Sequence, residues 1–303
     1  RIGREAGVPV FLSHHKVCGR PNWGLSKETL RLVDEARAAG QQVTLDQYPY
    51  LASMTNINVV VPPKYFAGGV PGLARLAADP AAREKIKAEI LDPATPFENH
   101  YQNCGGWEHI LLSSLAQTPE YDGLTVAEAA EKRGQDGFNT YFDLLAANDG
   151  IVQGIYFSQN DSDLLNFMSQ PWVMCGSDWS DYGAVVDREK KYGSHPRAMG
   201  TMARRLELIR DNGLWTLEDA VYRLTGMPSE VYGLPMIGKL KEGLNADITV
   251  FDYKNVRANA DYDHPFRKNN GIEYVIVNGK TAVKNGEFTG VKNGKVLRMK
   301  RER

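Results

Sequence analysis

Residues 8–50 place a strand, a loop, a helix and a second strand in direct succession. The apolar run VPVFL predicts a short buried strand, and QVTLDQYPY predicts the next one. Between them, SKETLRLVDEARAAG carries Leu30 and Val33 on one stripe, with Ser26 as the predicted N-cap and Gly40 as the stop, and so predicts an amphipathic helix. A helix that connects two neighbouring strands in this way makes them parallel. The sequence therefore predicts an α/β fold built on a parallel sheet.

The rest of the chain divides into three further regions. Residues 60–150 are punctuated by Pro and Gly and contain short helices, among them TVAEAAEKRG with a Thr125/Glu128 capping box. This stretch is too long for one connection within the sheet, so we expect an inserted lid subdomain. Residues 151–237 return to the α/β pattern with the strand WVMCGSD and closing helices. Residues 238–303 contain short strands joined by Gly/Asn turns and predict a small β domain.

Charge and cysteine content exclude several classes of function. The net charge is −1, with no basic patch of the kind that binds nucleic acid. No apolar run approaches the roughly 18 residues of a membrane span. Three scattered cysteines are too few for a disulfide framework, so we expect a reducing, cytoplasmic environment. The chain opens on Arg1 in what resembles the end of a helix, and we expect the native N-terminus to be missing.

Polar side chains follow each predicted strand of the parallel sheet. They are His14, His15 and Lys16 after the first strand, Asp46 and Tyr48 after the second, and Ser177 and Asp178 after WVMCG. In a parallel α/β barrel the functional side chains lie at the carboxyl ends of the strands, so we expect one shared site. Imidazole and carboxylate are usual ligands of catalytic Zn²⁺, and a zinc-bound water needs a carboxylate beside it to take its proton. His14 is a candidate ligand and Asp178 a candidate general base.

Each of these features also has a structural interpretation. A His-His pair at a strand end is more often hydrogen-bonded than metal-bound, and because side chains alternate along a strand, at most one of His14 and His15 is expected to bind metal. GSD alone is a common turn. Tyr48 and Tyr50 could pack as aromatic neighbours. Arg197, in the tripeptide HPR, could be a solvated cation or a fork-shaped donor to a substrate carboxylate.

The remaining cysteines and histidines carry no metal-like spacing. Cys18 and Cys175 are interpreted as inert small core residues. His100, His109 and His264 are interpreted as structural.

An ordered set of motifs resembles one protein family. The motifs are LSHHK, GRPNWGLSKETL, LDQYPYLAS, CGSDWS, HPRAMGTMAR, RLTGMPSEVYGL, GKLKEGLNADITVFD, HPF and GIEYVIVNGK. In this order and spacing they resemble the N-acyl-D-amino-acid deacylase (D-aminoacylase) family of the amidohydrolase superfamily, from residue 1 to about residue 298. Many amidohydrolases share the motif that begins GKLKEG, so this one supports the superfamily and does not decide the substrate.

The resemblance implies the C-terminal part of a (β/α)8 TIM-like metal-dependent hydrolase barrel with an inserted lid subdomain and a small C-terminal β domain. Residues 1–59 would hold barrel strands 6 and 7, and residues 60–150 the lid. Residues 151–237 would hold barrel strand 8 and the closing helices, and residues 238–303 a β-sandwich portion.

The resemblance also implies roles for five residues. His14 matches a metal-binding histidine, Lys16 a lysine beside the substrate, and Tyr48 a tyrosine that contacts the substrate. Asp178 matches the general acid/base, which we also expect to be a metal ligand, and Arg197 matches an arginine that binds the substrate α-carboxylate. The implied reaction is zinc-dependent hydrolysis of an N-acyl-D-amino acid to a carboxylate and a free D-amino acid.

Two alternatives to this function stay open at this point. One is another amidohydrolase activity, such as N-acyl-D-glutamate deacylation or cyclic amide hydrolysis. The other is a non-catalytic fragment.

Two departures from the family pattern qualify these implications. The family's upstream metal ligands, an H-x-H pair, a cysteine and a further histidine, have no match in this chain. We therefore expect the chain alone to be inactive and poorly metallated. Met54 and Gln159 replace a serine and a methionine that family members often carry, which leaves the acyl-chain and side-chain preference open.

Overall fold

The computed structural model describes residues 1–179 and 191–299. The helices are α1 Ile2–Ala6, α2 Ser26–Ala38, α3 Gly69–Ala78, α4 Pro80–Leu91, α5 His100–Cys104, α6 Val126–Arg133, α7 Gly137–Ala147, α8 Asp161–Met168, α9 Arg197–Asn212, α10 Leu217–Leu224 and α11 Gly226–Val231. The strands are β1 Val10–Leu12, β2 Val43–Gln47, β3 Ser53–Asn56, β4 Ile110–Ser114, β5 Gln153–Tyr156, β6 Val173–Cys175, β7 Ile248–Phe251, β8 Ile272–Val277, β9 Lys280–Lys284 and β10 Glu287–Phe288.

The first sheet is parallel and has the strand order β1-β2-β6. Val10 pairs with Val43 across β1 and β2, and Leu45 pairs with Val173 across β2 and β6. Helix α2 crosses from β1 to β2 and buries Leu30 and Val33 in the same apolar cluster as Leu45. Burial of this stripe is what holds the helix on the sheet. The predicted parallel βαβ unit is confirmed.

The start of α2 differs from the prediction. Ser26 is the first residue of the helix, and its hydroxyl accepts a hydrogen bond from the Asn166 side chain instead of capping the helix. The backbone N–H groups of Gly24 and Ser26 donate instead to the carboxylate of Asp163 on α8, at 2.8 and 3.2 Å. A carboxylate from a distant part of the sequence therefore takes the place of the predicted local cap.

The segment between β2 and β6 has its own sheet and its own core. The strands β3, β5 and β4 pair antiparallel in that order. Trp107 stacks on Tyr141 with ring centroids 5.1 Å apart, inside a large apolar cluster. Helix α6 begins with the predicted Thr125/Glu128 capping box, in which both reciprocal hydrogen bonds are present. The unit's sheet begins at Ser53 and ends at Tyr156, so the predicted bounds of 60 and 150 fall inside it.

The C-terminal region adds helices and a third sheet. Helices α9 and α10 pack beside β6, and the antiparallel strands β7 to β10 follow in the order β10-β9-β8-β7. Asn278-Gly279 and Asn285-Gly286 form the two tight turns, with positive φ at all four residues, as hairpins of this kind require. Within the described residues this region forms one sheet, and its assignment as a portion of a β-sandwich stays a prediction.

None of the helices in residues 1–179 and 191–299 is both long enough and apolar enough to cross a membrane.

Candidate active site

The carboxyl ends of β1, β2 and β6 bring the predicted site residues to one edge of the parallel sheet. His14 and Asp178, which follow β1 and β6, both have left-handed backbone conformations, with φ of 44° and 48°. Non-glycine residues rarely adopt this region unless the surrounding structure holds them there, and such residues often mark functional sites.

Asp46 holds the turn that carries His14. Its side chain accepts a hydrogen bond from the backbone N–H of His14, and its backbone carbonyl accepts one from the N–H of His15 at 2.9 Å. Asp46 is the fourth residue of β2, whereas the sequence predicted that it follows the strand. Burial raises the pKa of its carboxyl, and the hydrogen bond from His14 opposes that shift.

Lys16 binds directly to His14. Its Nζ lies 2.8 Å from Nδ1 of His14 and donates to the His14 carbonyl oxygen at 2.6 Å. Because an ammonium group has only donors, Nδ1 of His14 accepts in this pair. Burial lowers the pKa of the Lys16 ammonium. A metal ion would therefore bind His14 at Nε2, or at Nδ1 after displacing Lys16.

His15 points away from this edge. Its Nε2 lies 3.3 Å from Oγ1 of Thr29 on α2, and its ring packs edge-on against Phe167 of α8. His15 therefore faces the outer helices, which agrees with the expectation that at most one of the two adjacent histidines binds metal.

Tyr48 lies close to two cations. Nζ of Lys16 is 5.5 Å from the centroid of its ring, and Cζ of Arg197 is 4.8 Å from it. The side chain is 1% exposed, and burial raises its pKa, so the phenol stays protonated and can donate a hydrogen bond. Tyr48 also packs against the His195 ring, as does Tyr50, so both tyrosines do have aromatic neighbours.

Arg197 and Asp178 form an ion pair at the start of α9. Nη1 of Arg197 lies 2.9 Å from Oδ2 of Asp178. The arginine side chain is 6% exposed and the aspartate side chain 36% exposed. The interpretation of Arg197 as a solvated loop cation is therefore wrong. A guanidinium has five N–H donors, so Arg197 can hold Asp178 and a second carboxylate at the same time.

The inserted unit contributes groups that the sequence did not assign to the site. His100, interpreted as structural, packs against Tyr156 and lies 3.8 Å from Glu98. Burial lowers the pKa of His100, the charge of Glu98 opposes this shift, and the charge of Lys16 lowers the pKa further.

The loop after β1 is hydrogen-bonded to the inserted unit. Arg20 donates to the Cys104 carbonyl at 2.8 Å. Trp23 donates from its indole N–H to the Ser158 carbonyl at 2.9 Å. These contacts join distant segments, so local sequence carries no signal for them.

The cysteines near the site are protonated thiols. Burial raises the pKa of Cys175 to about 11, and burial also raises the pKa of Cys18. Thiols with raised pKa values are poor nucleophiles and poor metal ligands. Cys175 is a buried core residue, as expected, whereas Cys18 is only partly buried.

The donor chemistry of this edge fits only part of a zinc site. His14 and Asp178 supply imidazole and carboxylate, which are suitable ligands. Within the described ranges, however, no three His, Cys, Asp or Glu side chains are grouped closely enough to hold a metal ion. A catalytic zinc has three protein ligands as a rule, so further donors are needed to complete the site.

The model of the amidohydrolase family matches residues 99–283, which is more than half of the chain. The chain belongs to the amidohydrolase family. This amidohydrolase is 34% identical over 298 residues to the D-aminoacylase of Alcaligenes xylosoxydans xylosoxydans, a match that covers 98% of the chain and 50% of the relative. The resemblance seen in the motifs is thereby confirmed.

Two groups of solved structures resemble this amidohydrolase. A D-aminoacylase studied for its binuclear metal center has a TM-score of 0.71 at 30% identity, over 98% of this chain and 51% of that one. The N-acyl-D-glutamate deacylase of Bordetella bronchiseptica, in complex with zinc and a phosphonate inhibitor, has a TM-score of 0.68 at 29% identity, over 93% and 48%. The amidohydrolase chain thus spans about half the length of the relatives it matches.

Proposed function

We propose that this chain forms the substrate-binding and acid–base part of a zinc-dependent N-acyl-D-amino-acid deacylase. The observation that carries the proposal is the buried Arg197 guanidinium paired with Asp178 beside Tyr48. This pair supports a role for Arg197 in binding a carboxylate next to a candidate acid/base. The similarity to D-aminoacylase and to a zinc-bound N-acyl-D-glutamate deacylase supports the same reaction.

The proposed architecture is the C-terminal part of a barrel. Residues 1–59 would hold barrel strands 6 and 7, and β6 would be strand 8. The strand order β1-β2-β6, with all strands parallel, supports this assignment. The unit inserted between β2 and β6 would be the lid. Hydrogen bonds from Arg20 and Trp23, in the loop after β1, hold this unit beside the candidate site. The reducing, cytoplasmic location stays a prediction, supported by three unpaired cysteines.

Asp178 would act as the general acid/base. It would take a proton from the attacking water and return it to the amine nitrogen as the amide bond breaks. Zn²⁺, when bound at His14 and Asp178 with further donors, would supply a Lewis acid that polarises the amide carbonyl.

Arg197, Lys16 and Tyr48 would orient the substrate. Arg197 already pairs with one carboxylate in this structure, and its buried Nε has no hydrogen-bond partner among the described residues, so the guanidinium has a donor left for a second carboxylate. Lys16 adds a second cation near Tyr48, and the protonated phenol of Tyr48 can donate to a carbonyl or carboxylate oxygen. Fixing the carboxylate at Arg197 and the amide beside Asp178 defines two substituents of the α-carbon, so the space left for the side chain would select the D configuration.

The experiment uses the full-length gene product with N-acetyl-D-methionine, N-acetyl-L-methionine and N-acetyl-D-glutamate. We expect hydrolysis of the D substrates only. Asp178→Asn should lower kcat by roughly 10²- to 10⁴-fold, because proton transfer by a positioned group contributes about that much. Arg197→Lys should raise KM by roughly 10- to 100-fold, since a charged hydrogen bond contributes about 1.5–3 kcal/mol.

Arg267 and Asp261 supply the matched control. They form an exposed ion pair of 3.3 Å in the C-terminal region. Arg267→Lys and Asp261→Asn should leave both kinetic constants unchanged. Hydrolysis of the L substrate at the rate of the D substrate, or full activity in Asp178→Asn, would contradict the proposed function.

A further inference from the structure

His195 is a fully buried histidine that lies between the start of α9 and the segment leading into the inserted unit. Its exposure is 0%. It precedes Pro196 and Arg197, the residues at which α9 begins. On the other side it contacts the backbone of Ala52, which lies between β2 and β3.

Both nitrogens of the His195 ring have backbone partners. Nε2 lies 3.0 Å from the carbonyl oxygen of Ala52, and Nδ1 lies 3.0 Å from the backbone N of Arg197. A carbonyl only accepts and an N–H only donates, so Nε2 carries the proton and Nδ1 is the acceptor. The two partners therefore select one neutral tautomer. Burial lowers the pKa of His195 to about 3, with a further contribution from the Arg197 charge, so the ring stays neutral near pH 7.

Three tyrosine rings surround the imidazole and hold its plane. Tyr48, Tyr50 and Tyr262 all meet it edge-on, with ring centroids 6.1, 5.3 and 5.3 Å away. Hydrogen bonds at both imidazole nitrogens and three tyrosine rings around the imidazole restrict His195 to one orientation. The N–H of Arg197 is therefore held at a defined place relative to Ala52.

We propose that His195 is a positioning residue that links the carboxylate-binding Arg197 to Ala52, at the start of the inserted unit. The inference rests on the proposed role of Arg197 and adds a residue to it. His195 does not touch the substrate in this scheme. It accepts a hydrogen bond from a buried N–H in the first turn of α9 and links that turn to Ala52. The guanidinium of Arg197 is thereby held in one position relative to Asp178 and the substrate carboxylate.

Two substitutions separate the two hydrogen bonds. In His195→Asn the side-chain oxygen can take the place of Nδ1 and accept from the Arg197 N–H, while the bond to Ala52 is lost. In His195→Gln the longer side chain can donate to the Ala52 carbonyl, while the Arg197 N–H loses its acceptor. The pair therefore tests which contact positions the arginine.

The kinetic arm uses the full-length gene product and its hydrolysis of N-acetyl-D-methionine. We expect His195→Gln to raise KM about tenfold, equivalent to about 1.4 kcal/mol, with kcat changed less than about threefold, because a carboxylate contact acts equally on ground and transition states. His195→Asn should raise KM by a smaller factor, about threefold, because it keeps the acceptor for the Arg197 N–H and loses only the hydrogen bond to Ala52, which contributes about 0.5–1.5 kcal/mol. The control His264→Asn, in a partly exposed histidine paired with Asp261, should leave KM unchanged.

The spectroscopic arm uses the 303-residue chain and does not depend on activity. Nitrogen NMR on ¹⁵N-histidine-labelled protein, with the His195 signals assigned by their loss in His195→Asn, should detect a neutral ring protonated at Nε2 and unchanged from about pH 5 to pH 8. A ring that titrates in this range, or one protonated at Nδ1, would overturn the inference. So would equal KM effects of the Asn and Gln variants, or a loss confined to kcat. If the wild-type protein hydrolyses no N-acyl-D-amino acid while the NMR result holds, the proposed function fails and the tautomer assignment stands.

Discussion

Gly176 is the residue that lets two strand ends meet at the candidate site. It follows β6, and a Cβ added there would lie 2.2 Å from Oδ2 of Asp46. Asp46 in turn holds the backbone N–H of His14. The side chain that orients the candidate metal ligand therefore occupies the space that any residue other than glycine would need.

We expect Gly176→Ala to destabilise the protein by about 1–3 kcal/mol, as overpacking at an interior position does. Either Asp46 or the end of β6 must shift to make room for the methyl group. The free energy of unfolding, measured by urea denaturation, tests this expectation. Gly294→Ala is the matched control, since a Cβ at Gly294 meets no atom within 4 Å. Equal stability of the two variants would show that the contact with Asp46 is easily relieved.

Sequence patterns identify the candidate site residues but not the partners of these residues. The positions of His14 and Asp178 after apolar strands predicted a shared edge, because parallel strands end on the same side. The pairing of Lys16 with Nδ1 of His14, and of Arg197 with Asp178, depends on side-chain directions in three dimensions. His195 carried no recognisable signal beyond the tripeptide HPR, because its partners are Ala52 and its own backbone neighbour.

Helix α2 is an element whose apolar face was predictable and whose N-terminus was not. The stripe that contains Leu30 and Val33 follows from a period of 3.6 residues. Its capping group, Asp163, is 137 residues away from Ser26 along the chain. No local pattern can identify a cap supplied by another helix.

Asp163→Asn should destabilise the protein by about 1 kcal/mol at pH 7, as loss of a helix cap does. Burial alone would raise the pKa of this carboxyl, but hydrogen bonds from Ser26, Gly24 and Asn160 lower it below its ordinary value. A carboxyl with a lowered pKa in the folded state stabilises fully above its unfolded pKa of about 4. The contribution is lost as the pH falls through the lower folded value.

Denaturation of wild type and Asp163→Asn between pH 7 and pH 2.5 measures this contribution. The difference in unfolding free energy should be constant down to about pH 4 and should shrink below it. Asp161→Asn changes an exposed carboxylate in the same first turn of α8 and should have little effect. A difference that persists undiminished at the lowest pH would mean that the charge of Asp163 contributes nothing.

At the scale of the whole molecule, the candidate metal centre is the feature for which the described residues supply only some of the expected ligands. The described residues bring together His14 and Asp178 but no group of three potential ligands. The chain also spans about half the length of its relatives. The expectation that this chain alone is poorly metallated stays a prediction.

We expect the purified 303-residue chain to retain far less than one zinc ion per molecule after dialysis. Added zinc should not raise its melting temperature, because an ion that binds weakly to the folded state adds little to its stability. Elemental analysis and thermal unfolding measure the two quantities, with His14→Ala as the comparison. One tightly held zinc per chain, lost in His14→Ala, would mean that the chain contains a complete site.

The sequence by itself determined the local elements and the edge of the sheet at which the candidate site residues lie. The βαβ unit, the capping box at Thr125 and the Asn-Gly turns depend on short-range periodicity and backbone preference, which are encoded within a few residues. The tertiary structure decided which groups meet. Asp163 caps α2, Asp46 holds His14, and His195 joins Arg197 to Ala52, because burial forces each polar group to find a partner wherever the packed chain offers one. Those partners are set by the packing of segments that lie far apart in the sequence, and therefore only the folded molecule reveals them.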